Sequence, residues 1–372
     1  MGEERKRIPG WATAEGTGRF AARFAPSLPG HFSEIHGLRL SSIGIGTYLG
    51  EPTTECDTRY ADAVERAVEL GVNVVDTAVN YRHQRSERSV GRALARLVAS
   101  GKARRDEIFL ATKGGFLTFD ADEPPDPEAY FEQTLVGTGL LRAEEVVAGC
   151  HAIAPRFLEH QIEASRSNLG VETIDLYYLH NPETQLAEVT RDEFERRLKA
   201  AFAALEKAVS AGAIRAYGAA TWNAFRAGVE ARDVLSLADV LHAAEEVAGP
   251  NHHFRAVELP LNLAMPEALA ARTQLMGTER VPFLQAARAS ALMVFSSASL
   301  LQGRLAAGLP DGIQKKLPGF RTDAQRSLQF VRSTPGITSA LVGMSRREHV
   351  EENLAAARVP RLTREEYRAI FS

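Results

Sequence analysis

The sequence of 372 residues predicts an α/β protein in which eight parallel strands alternate with helices and close into a (β/α)8 barrel of the TIM type, with long loops at the C-terminal face. Two observations lead to this prediction. Short apolar runs typical of buried parallel strands alternate with longer segments of helical periodicity. Polar side chains also stand at or just after the ends of these runs, where the loops of such a barrel gather. They are Asp76, Lys113, His180, Thr221, Glu258 and Ser296.

The eight predicted strands are apolar along most of their length, which is typical of a parallel sheet covered on both faces. They are LSSIGIG (40–46), VNVVD (72–76), IFLAT (108–112), IDLYYLH (174–180), AIRAYGAAT (213–221), FRAVELP (254–260), ALMVFS (291–296) and TSALVG (338–343). An open doubly wound sheet is the alternative. That fold commonly has a G-x-G-x-x-G motif after its first strand, and GIGTYLG (44–50) has a different spacing.

Helical periodicity fills most of the segments between these strands. Residues 57–70 place Val64, Ala67 and Val68 on one face of a helix. Residues 193–209 carry a longer apolar stripe, and Gly212 after it indicates where that helix stops. The stripe consists of Phe194, Leu198, Phe202, Leu205 and Val209.

Two connections are longer than a barrel loop needs. Residues 114–153 are inserted after the third strand, and residues 261–289 join the sixth strand to the seventh with a helical pattern over 266–289. Long loops in compact domains commonly form lids or binding elements. Because residues 114–153 leave the C-terminal end of a strand, we expect a lid-like loop over the pocket. Residues 1–31 predict an irregular N-terminal arm, and residues 32–372 predict a single barrel domain.

Composition narrows the class of protein. A formal net charge of -3 gives no general attraction for nucleic acid or for an anionic membrane, so neither is expected as a partner. Cys56 and Cys150 are the two cysteines, too few for a disulfide framework or a multi-thiolate metal site. Adjacent His252 and His253 would point to opposite faces of a strand, so no metal site is predicted. No apolar run reaches membrane-spanning length and no signal peptide is evident, which predicts a cytoplasmic protein.

Polar residues at three strand ends form the candidate catalytic group. In NVVDTAVNYRHQRSER (73–88), Asp76 ends the second strand and Tyr81 follows in the loop, while Lys113 and His180 end the third and fourth strands. A buried ammonium favours a phenolate, so we expect Lys113 to lower the pKa of Tyr81 while Asp76 keeps Lys113 charged. His180 can donate a hydrogen bond to a substrate oxygen. Together they predict a tuned proton donor beside an oxyanion-stabilising group.

Five stretches in the right order resemble the aldo-keto reductase superfamily over about residues 32–360. They are LRLSSIGIGTYLG, NVVDTAVNY followed by SERSVGRAL, FLATK, LGVETIDLYYLHNPE and LVGMSRREHVEENL. The family's catalytic tetrad falls on Asp76, Tyr81, Lys113 and His180. The resemblance implies an NAD(P)(H)-dependent oxidoreductase that transfers a hydride between nicotinamide and a small aldehyde, ketone or sugar. Tyr81 would be its general acid and base, tuned by Lys113 and Asp76, and His180 would orient the substrate oxygen.

The resemblance also implies where the cofactor binds. Phe295 would stack on the nicotinamide, the turn after it would hold the pyrophosphate, and the last strand with its helix would hold the adenosine. Arg346 and Arg347 at that helix start would suit a 2'-phosphate, which slightly favours NADP (NADPH) over NAD. The cofactor-binding set is Gly46, Thr47, Tyr48, Asp76, Thr221, Glu258, Phe295, Ser296, Ser297, Arg304, Gly343, Ser345, Arg346, His349, Glu352 and Asn353.

Two places depart from the family pattern. Ala220 and Thr221 replace a Ser-Asn pair that holds the nicotinamide carboxamide, and Glu258 replaces a glutamine. An ionised Glu258 accepts hydrogen bonds but cannot donate one, and a glutamate facing solvent is the other interpretation. Two alternatives stay open, the first of them because an altered carboxamide site is compatible with unusual cofactor retention. One is an epimerase or dehydratase with tightly bound nicotinamide cofactor, and the other is a cofactor-sensing regulatory protein with slow turnover.

Overall fold

A closed barrel of parallel strands forms the body of the computed structural model, which describes residues 6–372 and confirms the predicted fold. The strands are β1 (Phe32–Ile35), β2 (Leu38–Ser41), β3 (Ile43–Gly46), β4 (Val74–Asp76), β5 (Phe109–Gly114), β6 (Ile174–His180), β7 (Ile214–Ala220), β8 (Phe254–Pro260), β9 (Gln274–Met276), β10 (Glu279–Val281), β11 (Met293–Ser297) and β12 (Ser339–Gly343). Eight close the barrel in the order β11-β12-β3-β4-β5-β6-β7-β8. The pairs β1–β2 and β9–β10 are separate antiparallel hairpins.

Helices surround this barrel and match the two predicted from periodicity. They are α1 (Ala14–Phe24), α2 (Thr54–Glu69), α3 (Arg85–Ala99), α4 (Pro127–Phe131), α5 (Pro155–Leu169), α6 (Arg191–Ser210), α7 (Leu237–Ala248), α8 (Glu267–Ala270), α9 (Phe283–Ala289), α10 (Asp311–Lys316), α11 (Asp323–Ser333), α12 (Arg347–Leu354) and α13 (Arg364–Ala369). Thr53 and Thr190 cap α2 and α6 by accepting a backbone N–H. Within residues 6–372, no helix has both the length and the apolar character needed to cross a membrane.

Alternation along the strands explains why polar groups meet at one end of the barrel. Side chains two residues apart in a strand point to the same side of the sheet. The interior of the barrel is filled by a separate apolar cluster that includes Val74, Phe109, Ala111, Tyr178 and Ala256. Counting onward by two from these residues reaches the last inward-facing position of each strand. Those positions are Asp76, Lys113, His180 and Glu258.

The N-terminal arm is partly helical, which corrects the prediction that residues 1–31 are irregular. Residues 1–5 of that arm lie outside the described part of the chain. Thr13 caps α1, and Phe20 is fully buried in the main core. Gly16 lets the helix approach closely, because a Cβ there would lie 2.0 Å from the carbonyl oxygen of Asp106. The glycine and arginine content that suggested irregular chain is therefore compatible with a docked helix.

Residues 261–289 are only partly helical, so the helical prediction for 266–289 is wrong in its middle. The short helices α8 and α9 flank the hairpin β9–β10. Gly277, with a φ of +61°, lies in the two-residue turn between Met276 and Glu279. A positive φ is the backbone conformation that two-residue hairpin turns require and that glycine adopts without strain.

The insertion at 114–153 starts from the C-terminal end of β5, and its two ends are tied together. Phe116 and His151 form an isolated antiparallel bridge, and the backbone of Leu117 donates to the carbonyl of Cys150. Leu141 and Ala152 belong to a small apolar cluster beneath the loop. This cluster anchors the base of the insertion beside the barrel mouth, and its role as a lid stays a prediction.

Candidate active site

A cavity of about 850 Å³ opens at the C-terminal end of the barrel. Asp76, Tyr81, His180 and Glu258 line its inner part. Cofactor and ligand sites commonly fall between about 300 and 1,000 Å³ and are concave and largely apolar. The barrel architecture and the alternation along its strands thus bring the predicted catalytic residues to the wall of one pocket, with Lys113 directly behind them.

Lys113 is the centre of the electrostatics of this pocket. Its side chain is fully buried, and Nζ donates to Asp76 Oδ2 at 2.5 Å and to the carbonyl oxygen of Thr77 at 3.0 Å. Glu258 Oε2 lies 3.3 Å from the same Nζ. Burial alone would lower the pKa of Lys113, but the charges of Asp76 and Glu258 together outweigh burial and raise it. Lys113 is therefore held as an ammonium ion.

The pKa of Tyr81 is raised rather than lowered, which corrects the expectation from the sequence. Burial of the phenol is the largest cause. Lys113 Nζ lies 5.1 Å from the centre of the Tyr81 ring and favours the phenolate, but Asp76 and Glu258 oppose it. One carboxylate was expected beside this lysine, and the structure has two. Tyr81 consequently keeps its proton in the cofactor-free protein.

His180 is held as a neutral imidazole beside Tyr81. The two rings meet edge to face, with 5.7 Å between their centres. Burial, followed by the charge of Lys113, lowers the pKa of His180 well below its ordinary value. His151 from the insertion supports this position, because its Nε2 lies 2.8 Å from the backbone oxygen of His180 and its Nδ1 lies 2.9 Å from Gln185 Nε2. Only a tautomer with the proton on Nε2 satisfies both contacts.

The loop after Tyr81 has an unusual backbone. Arg82, His83 and Gln84 have φ values of +52°, +54° and +68°, a conformation that residues other than glycine seldom adopt. The Arg82 side chain compensates for this strain, since its Nε donates to the carbonyl of Glu51 at 3.0 Å and its guanidinium pairs with buried Asp57. Arg82 is thus a structural anchor for the segment that carries Tyr81 and is not free to bind an anionic substrate.

Replacing Arg82 with methionine is expected to lower the free energy of unfolding by about 2 kcal/mol, because it removes one of the charged donors to buried Asp57, which keeps Arg85, and the donor to the carbonyl of Glu51. The exposed i,i+4 pair Arg59–Glu55 provides a control. Arg59→Met should cost less than about 0.5 kcal/mol, as is typical of solvated helix pairs. Urea unfolding of both variants measures the difference, and equal losses would show that Arg82 does not anchor the loop.

Most of the predicted cofactor positions line the same cavity. They are Gly46, Thr47, Tyr48, Asp76, Thr221, Glu258, Ser297, Gly343, Ser345, His349, Glu352 and Asn353. Glu258 is 5% exposed, which argues against the interpretation of a glutamate facing solvent. Arg304 and Arg346 are exposed and stand outside the cavity wall. Contact between these two arginines and a cofactor therefore stays a prediction.

Phe295 and Ser296 correct two of the predicted contacts. Phe295 is 1% exposed and stacks on Phe109 inside the barrel, with 5.8 Å between ring centres. Ser296 Oγ donates to the backbone oxygen of Leu261. Because Met293 and Phe295 fall on the interior face of β11, the aromatic ring fills the barrel core instead of the cavity wall.

Several cavity residues were missed from the sequence. Asn80 and Asn181 each adjoin a predicted catalytic residue, and Phe116 comes from the insertion. Trp222, which follows β7, also lies on the wall and is 43% exposed. Adjacency to Tyr81 and His180 was the available signal for the two asparagines. Phe116 carried no such signal, because its contact depends on how the insertion folds back.

Unpaired polar atoms show that this cavity is suited to a polar ligand. Asp76 Oδ1, Asn80 Oδ1, His180 Nδ1 and Glu258 Oε2 are buried without a hydrogen-bond partner in the described residues. Buried polar groups are normally satisfied, so atoms of this kind on a pocket wall commonly await a ligand or water. Three of these atoms are carboxylate or amide oxygens that accept hydrogen bonds, so they fit a ligand with amide N–H and hydroxyl donors, as a nicotinamide nucleotide has.

Comparison with known sequences places the chain among oxidoreductases. The family model described as "Aldo/keto reductase family" matches residues 42–230, half of the chain. The Bacillus subtilis protein named uncharacterized oxidoreductase YqkF is 24% identical over 338 residues, which cover 90% of this chain and 93% of that protein. Aldo-keto reductase family 1 member A1 of Mus musculus is 27% identical over 57% of this chain and 54% of its own length. The match to that relative therefore spans about half of it.

Solved structures agree with the barrel. An aldo-keto reductase from Bacillus halodurans, in a holo form, has a TM-score of 0.61 and 21% identity, over 91% of this chain and 95% of its own. An aldo/keto reductase from Klebsiella pneumoniae, solved in complex with NADP and acetate, has a TM-score of 0.59 and 20% identity, over 90% of this chain and 91% of its own. At these identities the likeness establishes the fold.

Proposed function

Because the chain belongs to the aldo/keto reductase family, we propose that it uses a nicotinamide cofactor to interconvert a carbonyl group and an alcohol in a small molecule such as an aldehyde, ketone or sugar. The observation that carries the proposal is the grouping of Tyr81, His180, Asp76 and Lys113 at one pocket, with a buried ammonium behind a phenol. This is the arrangement that proton transfer to a carbonyl oxygen needs.

The side chains divide the proposed chemistry among them. Bound nicotinamide would supply or accept the hydride at the carbon atom. Tyr81 Oη gives its proton to the carbonyl oxygen, and the raised pKa of Tyr81 supports its presence as a phenol before reduction. Neutral His180 orients the same oxygen through a hydrogen bond, and Lys113 stabilises negative charge left on Tyr81. Asp76 keeps the ammonium of Lys113 in place.

Residues on the rest of the wall would hold the cofactor. Thr221 and Glu258, which line the cavity, would bind the carboxamide, and Ser345 lies just before α12, whose backbone N–H groups and dipole favour a phosphate. Arg346 and Arg347 stand at the start of α12 and form no ion pair within the described residues. Positive charges at this end of a helix are repelled by the helix dipole. A 2'-phosphate would offset this repulsion, which supports NADP over NAD.

Nucleotide binding gives the test of this proposal. Trp222 lines the cavity, whereas Trp11 lies at the other end of the barrel over Arg215. In a Trp11→Phe variant the fluorescence therefore comes from Trp222 alone. We expect NADPH to quench it and NADH to bind at least about tenfold more weakly, since a 2'-phosphate paired with arginine contributes about 1.5 kcal/mol or more.

Controls for that titration separate cofactor choice from function. Arg346→Ser should remove the preference for NADPH while leaving NADH binding unchanged. Equal affinity for both nucleotides in the Trp11→Phe protein would contradict the role of Arg346. Binding of neither nucleotide, together with no NADPH oxidation across a panel of aldehydes, ketones and sugars, would refute the proposed function.

A further inference from the structure

One lysine faces two carboxyl groups beside the proposed proton donor. The side chains of Lys113, Asp76 and Glu258 are 0%, 6% and 7% exposed, so water screens them little. Asp76 accepts a hydrogen bond from Lys113 Nζ at 2.5 Å, while Glu258 Oε2 approaches the same atom at 3.3 Å without a donor of its own. Glu258 is therefore the less well compensated of the two carboxyls.

Charge balance requires a proton in this group of side chains. If both carboxyls were ionised, the three side chains would bury one uncompensated negative charge, which is costly in a protein interior. Both carboxyl groups lie against the same Lys113 Nζ, at 2.5 Å and 3.3 Å, so ionisation of one disfavours ionisation of the other. Burial first, and then repulsion by Asp76, raise the pKa of Glu258 to about 8. Glu258 accordingly holds the proton at neutral pH.

The other titratable groups facing Glu258 do not change this balance. Tyr81 on the loop after β4 and Tyr178 on β6 both have raised pKa values, with burial as the largest cause, and stay neutral. His180 at the end of β6 has a lowered pKa and is neutral too. On the neighbouring strand β11, Phe295 pairs in register with Glu258 and carries no charge. The fixed charges are those of Lys113 and Asp76.

We propose that Glu258 stores the proton that restores Tyr81 during carbonyl reduction, acting through Lys113, and that its ionised form balances the positive charge of an oxidised nicotinamide in the cavity. This inference rests on the proposed function and extends it. Glu258 is a positioning residue in this scheme, since it holds a proton and a charge for other groups.

Atoms and charges balance along this route. With a hydride supplied to the carbonyl carbon by bound nicotinamide, the carbonyl oxygen would receive a proton from Tyr81 Oη. The phenolate then takes a proton from Lys113 Nζ, which takes one from the Glu258 carboxyl. Tyr81 and Lys113 return to their starting forms, Glu258 ends as a carboxylate, and the nicotinamide ends with one positive charge. The buried site therefore stays at the same net charge without a proton from solvent.

Proton release coupled to nucleotide binding tests the inference without turnover. An oxidised nicotinamide favours ionised Glu258, so NADP+ binding should release a proton below the pKa of about 8 that Glu258 has in the free protein. The affinity for NADP+ relative to NADPH should then rise with pH by up to about tenfold per pH unit and become constant above that pKa. The ratio cancels titration of the phosphates, which both nucleotides share.

The experiment measures protons and affinities in the Trp11→Phe protein. NADP+ is mixed with the protein in dilute buffer that contains a pH-indicator dye. The pH is about 7.5, between the pKa values expected for Glu258 in the bound and the free protein. We expect about three-quarters of a proton per NADP+ bound, because Glu258 with a pKa of about 8 is only partly protonated at this pH, and almost none per NADPH. Adding Glu258→Gln, which is neutral at every pH, should abolish both the release and the pH dependence of the affinity ratio.

A matched control and the contrary outcomes make the test decisive. Glu87 is also a buried carboxyl with a raised pKa, but it bonds Thr112 and Asn168 away from the cavity. Glu87→Gln should keep the proton release. Nucleotide binding without proton release in the Glu258-containing protein would overturn the inference and leave the proposed function standing. Proton release that persists in Glu258→Gln would overturn it too. If neither nucleotide bound, both the proposed function and the inference would fail.

Discussion

Replacing Tyr81 with phenylalanine is expected to lower kcat for carbonyl reduction by about 10³-fold, within the range that a positioned general acid contributes. The change removes one hydroxyl group and keeps the ring between Tyr48 and His180. The dissociation constant for NADPH should therefore stay within about twofold, because no cofactor contact is assigned to the hydroxyl. Steady-state kinetics on the best substrate, together with a fluorescence titration, measure the two effects separately.

Tyr178 provides a matched control for this substitution. Its ring lies 5.9 Å from Lys113 Nζ, close to the 5.1 Å of Tyr81, but it is buried inside the barrel and does not line the cavity. Tyr178→Phe should change kcat by less than about fivefold, since it removes a hydroxyl from outside the pocket. If Tyr81→Phe reduced the substrate as fast as the unmodified protein, the assigned proton donor would be wrong.

Strand periodicity explains how much of this site the sequence could predict. The runs that end in Asp76, Lys113 and His180 are apolar along most of their length, so their polar last residues stand out at the barrel mouth. Glu258 was placed at the same mouth, but its pairing with Lys113 was not predicted. That contact crosses the barrel between β5 and β8, and the distance across depends on strand tilt and stagger, which no local pattern encodes.

The predictions that the structure corrects also failed because they depend on tertiary contacts. Phe295 was expected on the cavity wall, yet the layer that an inward-facing residue occupies depends on barrel stagger. The helix α1 was missed because its stability comes from tertiary packing of Phe20 and the close approach at Gly16. The pKa of Tyr81 was expected to fall because the sequence gives the lysine but neither the burial of the phenol, which is the largest cause of the raised pKa, nor the second carboxylate near the lysine.

Lys113→Met is expected to have the largest effect on stability, lowering the free energy of unfolding by about 3 to 5 kcal/mol near neutral pH. The substitution keeps a buried chain of similar length but removes the only partner charge of Asp76 and Glu258 within the described ion pairs. Activity should fall below detection, because Tyr81 loses the charge that stabilises its phenolate. The exposed pair Lys102–Glu69 is the control, and Lys102→Met should cost less than about 1 kcal/mol.

The pH dependence of that loss identifies its cause. Without Lys113, both carboxyls must take up protons in the folded protein, so their folded pKa values rise above the unfolded values. The folded state then binds more protons than the unfolded state, and stability increases as the pH falls through the raised values. Lys113→Met should therefore recover part of its stability between about pH 8 and pH 6, where the unfolded carboxyls remain ionised.

A second substitution separates stability from chemistry. Glu258→Gln removes one of the two carboxyls that contact Lys113. The double variant Lys113→Met, Glu258→Gln should therefore be more stable than Lys113→Met alone. The activity of the double variant should stay undetectable. Such non-additivity is expected for side chains that share a partner, with a coupling of about 1 to 3 kcal/mol. Unfolding in urea, with the four proteins of the cycle compared at the same pH, measures it. Additive losses would mean that Glu258 and Lys113 stabilise the fold independently, and the proton-sharing group of Asp76, Lys113 and Glu258 would have to be abandoned.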